Sequence, residues 1–513
     1  MAGVGRDTSK TAMLKLVLPH VPHLLLRSSA HLLRLSSTSQ YWDFKSTLTV
    51  EFIRSMLATP ANPPVPIEKH QRHTTKPTPV AANTWCVPIN YSPSEDFDGE
   101  ARIRDAIVAL GGEEDAILVT PAAELSGEWI SYRSSPLPSN TPNVPDYPAL
   151  LANTEEKEAV VLYLHGGAYC LCDPHTHRPA VARLCKSTKT RAFVPRYRLA
   201  PQSAFPGPLL DALVSYLFLL YPPPGSLHDP IPAEKIVFAG DSAGGNLSLS
   251  LLLLTQYFKR AGIPVSWYGR SVSVPLPAGV AGSSAWCEIS RCFGSLASFP
   301  QGSEDTCQPS DYLPCAVESA KVGFAESPGW NEQLRKEKGM TQLYAPDKLM
   351  AHPLVSPLLS ETWDKEVPVY LSIGDERLRD SNLFLAHRLL EAGVPTRFEW
   401  YEGMPHVFPA ILMHTEAARQ AWEGMAGFVC HATGVETKSA QEMWGAWKWH
   451  PKTLQRTAVE AEELKCYDLE FHQVREMVRT AIVRFRELFK EAQEGRRVAE
   501  RVGAVEGAAR ARI

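Results

Sequence analysis

Apolar residues in the central part of the chain form short continuous runs, and longer stretches with helical spacing separate them. Runs of this length and composition predict strands that are buried on both faces of a parallel sheet. The predicted strands cover residues 85–89, 128–132, 159–164, 191–195, 235–239, 367–373 and 396–401, and two of the predicted helices cover 247–254 and 381–392. This alternation predicts the α/β class, with a mostly parallel central sheet covered by helices on both faces.

The two ends of the chain carry a different pattern, in which apolar residues recur at helical spacing. This spacing predicts helices from Trp42 to Met56 and from Phe471 to Ala492. A stretch rich in Pro and Thr after Ala58 predicts a connector. We therefore divide the chain into a helical N-terminal arm at 1–60, a linker at 61–84, a central α/β domain at 85–430 and a helical C-terminal extension at 431–513.

The N-terminal arm is basic and rich in leucine. Its first forty residues hold one acid, Asp7, and five basic residues, which are Arg6, Lys10, Lys15, Arg27 and Arg34. Its apolar runs are shorter than the ~20 residues of a membrane-spanning helix and too scattered for a secretory signal peptide. Three interpretations stay open: an arm that packs on the main domain, a peripheral contact with a membrane surface, and a mitochondrial presequence.

The composition is that of a globular protein. Of the 513 residues, 44% are hydrophobic and 21% are charged, which excludes disorder of the whole chain. The 52 Lys+Arg against 56 Asp+Glu leave a net charge of −4, so we expect no nucleic-acid partner, because such binders carry a strong basic excess. The ten cysteines are irregularly spaced. They predict reduced thiols in an intracellular protein, which is cytoplasmic or peripherally membrane-associated and not secreted.

One cluster has the residue types of a zinc site. Cys170, Cys172, His175 and His177 form the pattern C-x-C-x2-H-x-H, and zinc takes thiolate and imidazole ligands. The competing interpretation, which we favour, is that they are ordinary residues of a turn. A second group of cysteines, at 287, 292, 307 and 315, lacks the paired C-x-x-C spacing of a structural zinc site. We therefore predict no metal.

A candidate nucleophile lies between a predicted strand and a predicted helix. Gly240, Asp241, Ser242, Ala243 and Gly244 form the pattern Gly-x-Ser-x-Gly at this position. A tight turn between strand and helix lifts the serine hydroxyl above the sheet edge, and glycine on both sides leaves room for the close approach of other backbone. The start of the following helix offers free N–H groups to a developing oxyanion.

A second motif follows the predicted strand at 159–164. His165, Gly166 and Gly167 form an H-G-G sequence, which precedes the candidate nucleophile along the chain, as the oxyanion loop of lipases and esterases does. Glycines suit such a loop, because its N–H groups must come within about 3 Å of the substrate oxygen. The carboxyl edge of the sheet, where this loop lies, is where ligands bind in open α/β sheets.

A serine hydroxyl needs a base, and the base needs an acid that orients it. His406 follows the predicted strand at 396–401 and is the candidate base. Asp375, Glu376 and Asp380 follow the predicted strand at 367–373 and are three candidate acids. The pattern alone does not choose among these three carboxylates.

Together these motifs resemble the hormone-sensitive-lipase-like branch of the α/β-hydrolases, and especially fungal esterases similar to steryl acetyl hydrolases. The shared blocks are LHGGAYCLCDPHTHR (164–178), PRYRLAPQSAFP (195–206), FAGDSAGGN (238–246), DYLP (311–314), HPLVSPL (352–358), GDERLRD (374–380) and YEGMPHVF (401–408). The resemblance covers residues 85–430 and implies the α/β-hydrolase fold with helical extensions at both ends.

The resemblance also implies a chemistry, which is ester hydrolysis by a serine, an acid and a histidine, without a cofactor. Ser242 matches the nucleophile of the family and His406 matches its base. Glu376 matches the acid, because it opens an acid-x-Leu-x-Asp pattern, although Asp is commoner at that place. The implied substrate is a small hydrophobic ester, with a short acyl group such as acetyl on a hydrophobic alcohol.

The resemblance further assigns the oxyanion hole to Gly166, Gly167 and the N–H of Ala243. Ala168 stands where many relatives have a third glycine. The resemblance also accounts for His175 and His177, as part of a structural turn after the oxyanion loop. Two alternative functions stay open: a catalytically silent ligand-binding protein on the same fold, and a hydrolase of lactones, amides or thioesters that uses the same residues.

Overall fold

The computed structural model describes residues 18–58, 65–118, 120–138, 144–293, 310–314, 327–435, 443–465 and 469–510. The strands are β1 (Thr84–Tyr91), β2 (Leu125–Tyr132), β3 (Val160–Leu164), β4 (Arg191–Arg196), β5 (Ile236–Asp241), β6 (Val265–Trp267), β7 (Arg270–Val272), β8 (Gly279–Ser283), β9 (Val369–Gly374), β10 (Thr396–Tyr401), β11 (Gly445–Trp449) and β12 (Arg456–Ala458).

The α-helices are α1 (Val21–Leu32), α2 (Phe44–Ala58), α3 (Ile67–Thr74), α4 (Gly99–Ala109), α5 (Tyr147–Ala152), α6 (Pro174–Thr188), α7 (Gly207–Leu220), α8 (Ala243–Ala261), α9 (Glu332–Glu337), α10 (Arg379–Glu391), α11 (Phe408–Ile411), α12 (Glu416–Ala432), α13 (Ala461–Leu464) and α14 (Phe471–Arg510). Among the described residues, no helix combines the length and the apolar character needed to cross a membrane.

One large sheet organises the molecule, with the strand order β1-β2-β4-β3-β5-β8-β9-β10-β11-β12. The strands from β4 to β11 pair in parallel, whereas β1, β2 and β12 join the two edges in antiparallel pairs. Parallel neighbours end at the same edge of a sheet, so the loops after β3, β5, β9 and β10 meet there. The α/β class and the mostly parallel sheet predicted from the sequence are confirmed.

Helices cover both faces of this sheet. On one face, α7, α8 and α10 pack against the inward side chains of the strands, among them Leu162, Phe238 and Leu371. On the other face, α6 and α12 pack against Val161, Val237 and their neighbours. Strands buried on both faces need apolar residues at consecutive positions, which explains why they are visible in the sequence as continuous runs.

Three strands of the large sheet are absent from the prediction. β8 has the sequence GVAGS, which lacks the bulky β-branched run that marks its neighbours, although it lies at the centre of the sheet between β5 and β9. Gly279 is needed there, since a Cβ would lie 2.9 Å from the ring of Phe428. The other two, β11 and β12, extend the sheet beyond β10 within the region for which the sequence predicts only helices.

The terminal helices differ in how they contact the rest of the chain. α14 packs on the main core through Val474, Val478 and Ile482, which are buried. In the N-terminal arm, Trp42 and Val50 join a small apolar cluster with Tyr401 and Phe408 and their neighbours. Through this cluster, the arm lies against the loop that follows β10.

Candidate active site

Ser242 lies at the turn between β5 and α8, with φ 51° and ψ −118°. This left-handed backbone costs energy for a residue with a side chain, and it directs the hydroxyl out of the turn. Glycine is required on both sides of the serine. A Cβ on Gly240 would lie 2.5 Å from the carbonyl oxygen of Leu164, and one on Gly244 would lie 1.9 Å from the same oxygen.

The side chains of the candidate nucleophile, base and acid form a continuous chain of hydrogen bonds. The Ser242 hydroxyl lies 2.9 Å from Nε2 of His406, and Nδ1 of His406 lies 2.7 Å from Oε1 of Glu376. His406 and Glu376 are buried, whereas Ser242 is partly exposed. A substrate can therefore reach the serine, while the imidazole and the carboxylate are shielded from water.

The three carboxylates after β9 have different partners. Glu376 alone contacts His406. Asp375 accepts hydrogen bonds from the indole N–H of Trp400 and the backbone N–H of Gly403, both at 2.7 Å, and thereby holds the loop after β10. Asp380 is buried in the first turn of α10 and pairs with Arg379 at 3.0 Å. Only Glu376 is in position to orient the imidazole.

The oxyanion loop differs from its predicted arrangement at Gly166. The Gly166 N–H donates a hydrogen bond to Oδ1 of Asp241 at 3.2 Å, so it is not free to receive a substrate oxygen. The backbone N–H groups of Gly167 and Ala168 have no acceptor among the described residues, and Gly167 is partly exposed while Ala168 is exposed. The free donors of this loop are therefore shifted by one residue along the chain. The N–H of Ala243 begins α8 beside Ser242.

Asp241 and His165 hold the oxyanion loop in place. Asp241 accepts the hydroxyl of Tyr163 at 2.9 Å and lies 3.2 Å from Nε2 of His177. Burial raises the pKa of Asp241, but His177 and the hydrogen bonds outweigh it, so this pKa is lowered overall. Burial lowers the pKa of His165 to about 4. A neutral imidazole results, with its Nδ1 2.7 Å from the carbonyl oxygen of Gly166.

The structure also resolves the histidines and cysteines of the zinc-like pattern. The sequence predicts that His175 and His177 belong to a turn between elements. They lie instead at the start of helix α6, which corrects the prediction. His175 pairs with the helix-capping Asp173 at 2.7 Å. No group of three or more potential metal ligands converges within the described ranges. Two of the cysteines in the second group, at 307 and 315, lie outside the described residues.

Three further residues support the site, and sequence reasoning did not assign a role to any of them. The Ser284 hydroxyl donates to Oε2 of Glu376 at 2.6 Å and accepts the N–H of Val407 at 3.0 Å. Ser284 directly follows β8, so it was missed together with that strand.

The other two residues, Asp311 and Tyr312, belong to the DYLP block. The Asp311 carboxylate accepts the backbone N–H of His406 at 3.2 Å and that of Arg377 at 2.8 Å. The Tyr312 hydroxyl donates to the carbonyl oxygen of His406 at 3.0 Å. This short segment therefore bridges the two loops that carry the base and the acid. The DYLP block was the only sign in the sequence that this segment belongs to the site.

The environment of His406 changes its proton affinity. Burial lowers the pKa of His406, but the adjacent Glu376 carboxylate and its hydrogen bond raise it, and Asp311 and Asp241 add to the increase. The net result is a pKa above the usual value of 6.5. An imidazole whose pKa is raised in this way binds a proton more tightly than a free histidine, which makes its neutral form a stronger base.

Parts of the chain are similar to known hydrolases. A family model described as the alpha/beta hydrolase fold matches residues 161–274 and 309–410. An acetyl-hydrolase of Streptomyces hygroscopicus is 28% identical over 279 residues, which are 54% of this chain and 77% of that protein. A versiconal hemiacetal acetate esterase of Emericella nidulans is 27% identical over 257 residues, which are 49% of this chain and 75% of that protein.

A solved esterase from the bacterial hormone-sensitive lipase family is 21% identical, with a TM-score of 0.49, over 77% of this chain and 99% of its own length. The matched segments of the family model contain β3, β5, β9 and β10 with the loops that follow them. The chain has the α/β-hydrolase fold, and its sequence resembles esterases of the hormone-sensitive-lipase-like family.

Proposed function

We propose that this protein hydrolyses carboxylic esters through an acyl-enzyme formed on Ser242, with His406 as the base and Glu376 as the acid that orients it. The observation that carries the proposal is the unbroken hydrogen-bond chain from Ser242 through His406 to Glu376. It lies beside a loop in which the N–H groups of Gly167 and Ala168 have no acceptor among the described residues. A serine, a base, an orienting acid and an oxyanion site are the components that acyl transfer requires.

In the first half of the reaction, Ser242 Oγ attacks the acyl carbon, and its proton passes to Nε2 of His406. Glu376 keeps the proton of the imidazole on Nδ1, so that Nε2 is free to accept, and it stabilises the imidazolium that forms. The negative charge on the tetrahedral oxygen is bound by the N–H groups of Gly167, Ala168 and Ala243. Each key donor of this kind contributes about 3–4 kcal/mol in other hydrolases.

In the second half, the tetrahedral intermediate expels the alcohol, which takes the proton from Nε2 of His406. A water molecule then gives a proton to the same nitrogen and attacks the acyl carbon. When this second intermediate collapses, the carboxylic acid leaves and the proton returns to Ser242 Oγ. Only the chain, the ester and water take part, so no cofactor is needed in this scheme.

We further propose a short acyl group on a hydrophobic alcohol as the substrate class. Support comes from the relatives, which are named as an acetyl-hydrolase and as an acetate esterase.

The proposal is tested with p-nitrophenyl esters of increasing acyl length and with a fluorophosphonate probe. We expect the highest kcat/KM for the acetyl ester, a decline of at least about tenfold at octanoyl, and a labelled peptide that contains Ser242. Label at another serine, or turnover without any label, would contradict the mechanism. A preference for octanoyl over acetyl would overturn the acyl-length proposal and leave the mechanism intact.

Asp311 provides a test of how the base is positioned and charged. The variant Asp311→Asn keeps a side-chain oxygen that can accept the N–H of His406, but it removes a negative charge that raises the pKa of His406. Since the active form has a neutral imidazole, a lower pKa moves the acidic limb of kcat/KM to lower pH. In the wild-type protein this limb is expected above pH 6.5. We expect kcat to fall by about tenfold.

The matched control is Asp347→Asn. Asp347 is as buried as Asp311 and also holds a loop, through Thr341 and Arg486. A general loss of stability would lower the activity of both variants, but the midpoint of the pH profile is expected to move only in Asp311→Asn. An unchanged midpoint in that variant would show that Asp311 acts on the fold alone.

A further inference from the structure

Helix α1 of the N-terminal arm turns its apolar side toward solvent. Leu25, Leu26, Leu32 and Leu33 are 63%, 70%, 69% and 69% exposed, and their spacing places them on one side of the helix. Leu18 and Leu35, which are 61% and 76% exposed, flank the helix. We call these six residues the leucine face. The helix buries none of its own residues.

The opposite side of α1 is polar and faces the protein. Nε2 of His23 lies 3.0 Å from Glu51 on α2, and Nε of Arg27 donates to the same carboxylate at 3.2 Å. Nδ1 of His31 lies 2.8 Å from the hydroxyl of Thr47. An amphipathic helix on a water-soluble core normally has the reverse orientation. These polar contacts therefore hold the leucine face outward, and an apolar environment must cover it if its exposure is to be favourable.

The charges near the leucine face are positive. No Asp or Glu occurs between Asp7 and Asp43, whereas Lys10, Lys15, Arg27 and Arg34 lie in this stretch. Among the described residues, Arg34 is exposed and lies between Leu33 and Leu35 of the face. Basic residues next to an apolar helix face complement a surface that is negatively charged on the outside and apolar inside.

A lipid surface fits these features better than a protein partner does. The energetic centres of protein interfaces are enriched in Trp, Tyr and Arg, and Leu is under-represented there. The 12 residues of α1 span about 18 Å, which is too short to cross a bilayer but long enough to lie in its interface.

The arm also lies on the loop that carries the base. The Trp42 indole donates to the carbonyl oxygen of Gly403 at 2.6 Å. On α2, the Arg54 guanidinium donates to the carbonyl oxygen of Asp311 at 2.6 Å and pairs with Glu51, the residue that holds α1. We propose that the leucine face docks the protein on an anionic membrane surface, so that the candidate active site opens next to the lipid in which a hydrophobic ester dissolves.

The test is co-sedimentation of the full chain with lipid vesicles. We expect binding to phosphatidylcholine vesicles that contain phosphatidylglycerol, and weaker binding to phosphatidylcholine alone or at high salt. The variant Leu25→Gln/Leu26→Gln/Leu33→Gln is expected to lower the partition coefficient by at least about tenfold. Its hydrolysis of a water-soluble ester should stay unchanged, because the three side chains are exposed and lie outside the catalytic contacts.

The matched control is Val144→Gln/Leu227→Gln, which replaces two exposed apolar residues that do not belong to the arm. It should bind vesicles as the wild type does, and so should Ser242→Ala, so that docking and chemistry are tested separately. The proposal is overturned if the wild type stays in the supernatant with both vesicle types, or if the triple variant binds equally well. A dimer in light scattering that the triple variant dissociates, without vesicle binding, would assign the leucine face to a second copy of the chain.

Discussion

Replacing Ser242 with alanine is expected to lower kcat for p-nitrophenyl acetate by about 10⁶-fold, because His406 and Glu376 have no nucleophile to activate without the hydroxyl. The fold should tolerate the change. Alanine keeps the Cβ, so the left-handed backbone at φ 51° is no more strained than it is with serine. The measurements are steady-state kinetics and the Tm of both proteins.

Ser271→Ala is the control for this variant, since Ser271 is an exposed serine in β7, within the separate two-stranded sheet. It should keep full activity and full labelling by the fluorophosphonate. Turnover in Ser242→Ala above a few per cent of wild type, in a preparation free of contaminating esterase, would contradict the proposed nucleophile.

Glu376→Gln is expected to lower kcat by about 10⁴-fold. In the wild-type protein, Oε2 of Glu376 accepts hydrogen bonds from the hydroxyl of Ser284 and the N–H of Gly374. The amide oxygen of the variant can still accept both. The amide nitrogen then faces Nδ1 of His406 and acts as a donor. Nδ1 must accept, the proton moves to Nε2, and Nε2 can no longer receive the proton of Ser242. With the carboxylate charge gone, the pKa of His406 falls, and the residual activity rises at a lower pH.

Two matched variants test the choice among the three carboxylates. Asp375→Asn and Asp380→Asn remove charges that bind Trp400 and Arg379 rather than His406. Both should lower Tm more than they lower kcat at a temperature where the proteins are folded. A loss of kcat in Asp375→Asn equal to that in Glu376→Gln would contradict the assignment of the orienting role to Glu376.

Much of the fold follows from sequence because the central strands are buried on both faces. β3 and β5, for example, must be apolar at consecutive positions, and this leaves a visible run. β8 is equally buried but has to be small where Gly279 meets Phe428, so packing removed the pattern that would have marked it. β11 lies near the end of the sheet and is only partly buried, so it has no continuous apolar run.

The predicted site residues lie in the loops that follow strands, where a motif implies a position. What the motif cannot give is the direction of a backbone N–H. Gly166 was assigned to the oxyanion hole, yet its N–H turns to Asp241 and the free donors come from the next two residues. Asp311 and Ser284 contact the base and the acid from segments that are distant in sequence. Their contacts depend on the folded geometry, which no local pattern encodes.

The contact between Trp42 and Gly403 joins residues 361 positions apart. A ribosome that adds 5–20 residues per second leaves an interval of about 20 s or more between the two. During that time the nascent arm has nothing to dock on, and its leucines are available to chaperones or to any nearby lipid. Packing of the arm on the loop after β10 is therefore a late event in biogenesis, and the proposed lipid surface would be within reach of the arm before the rest of the chain is made.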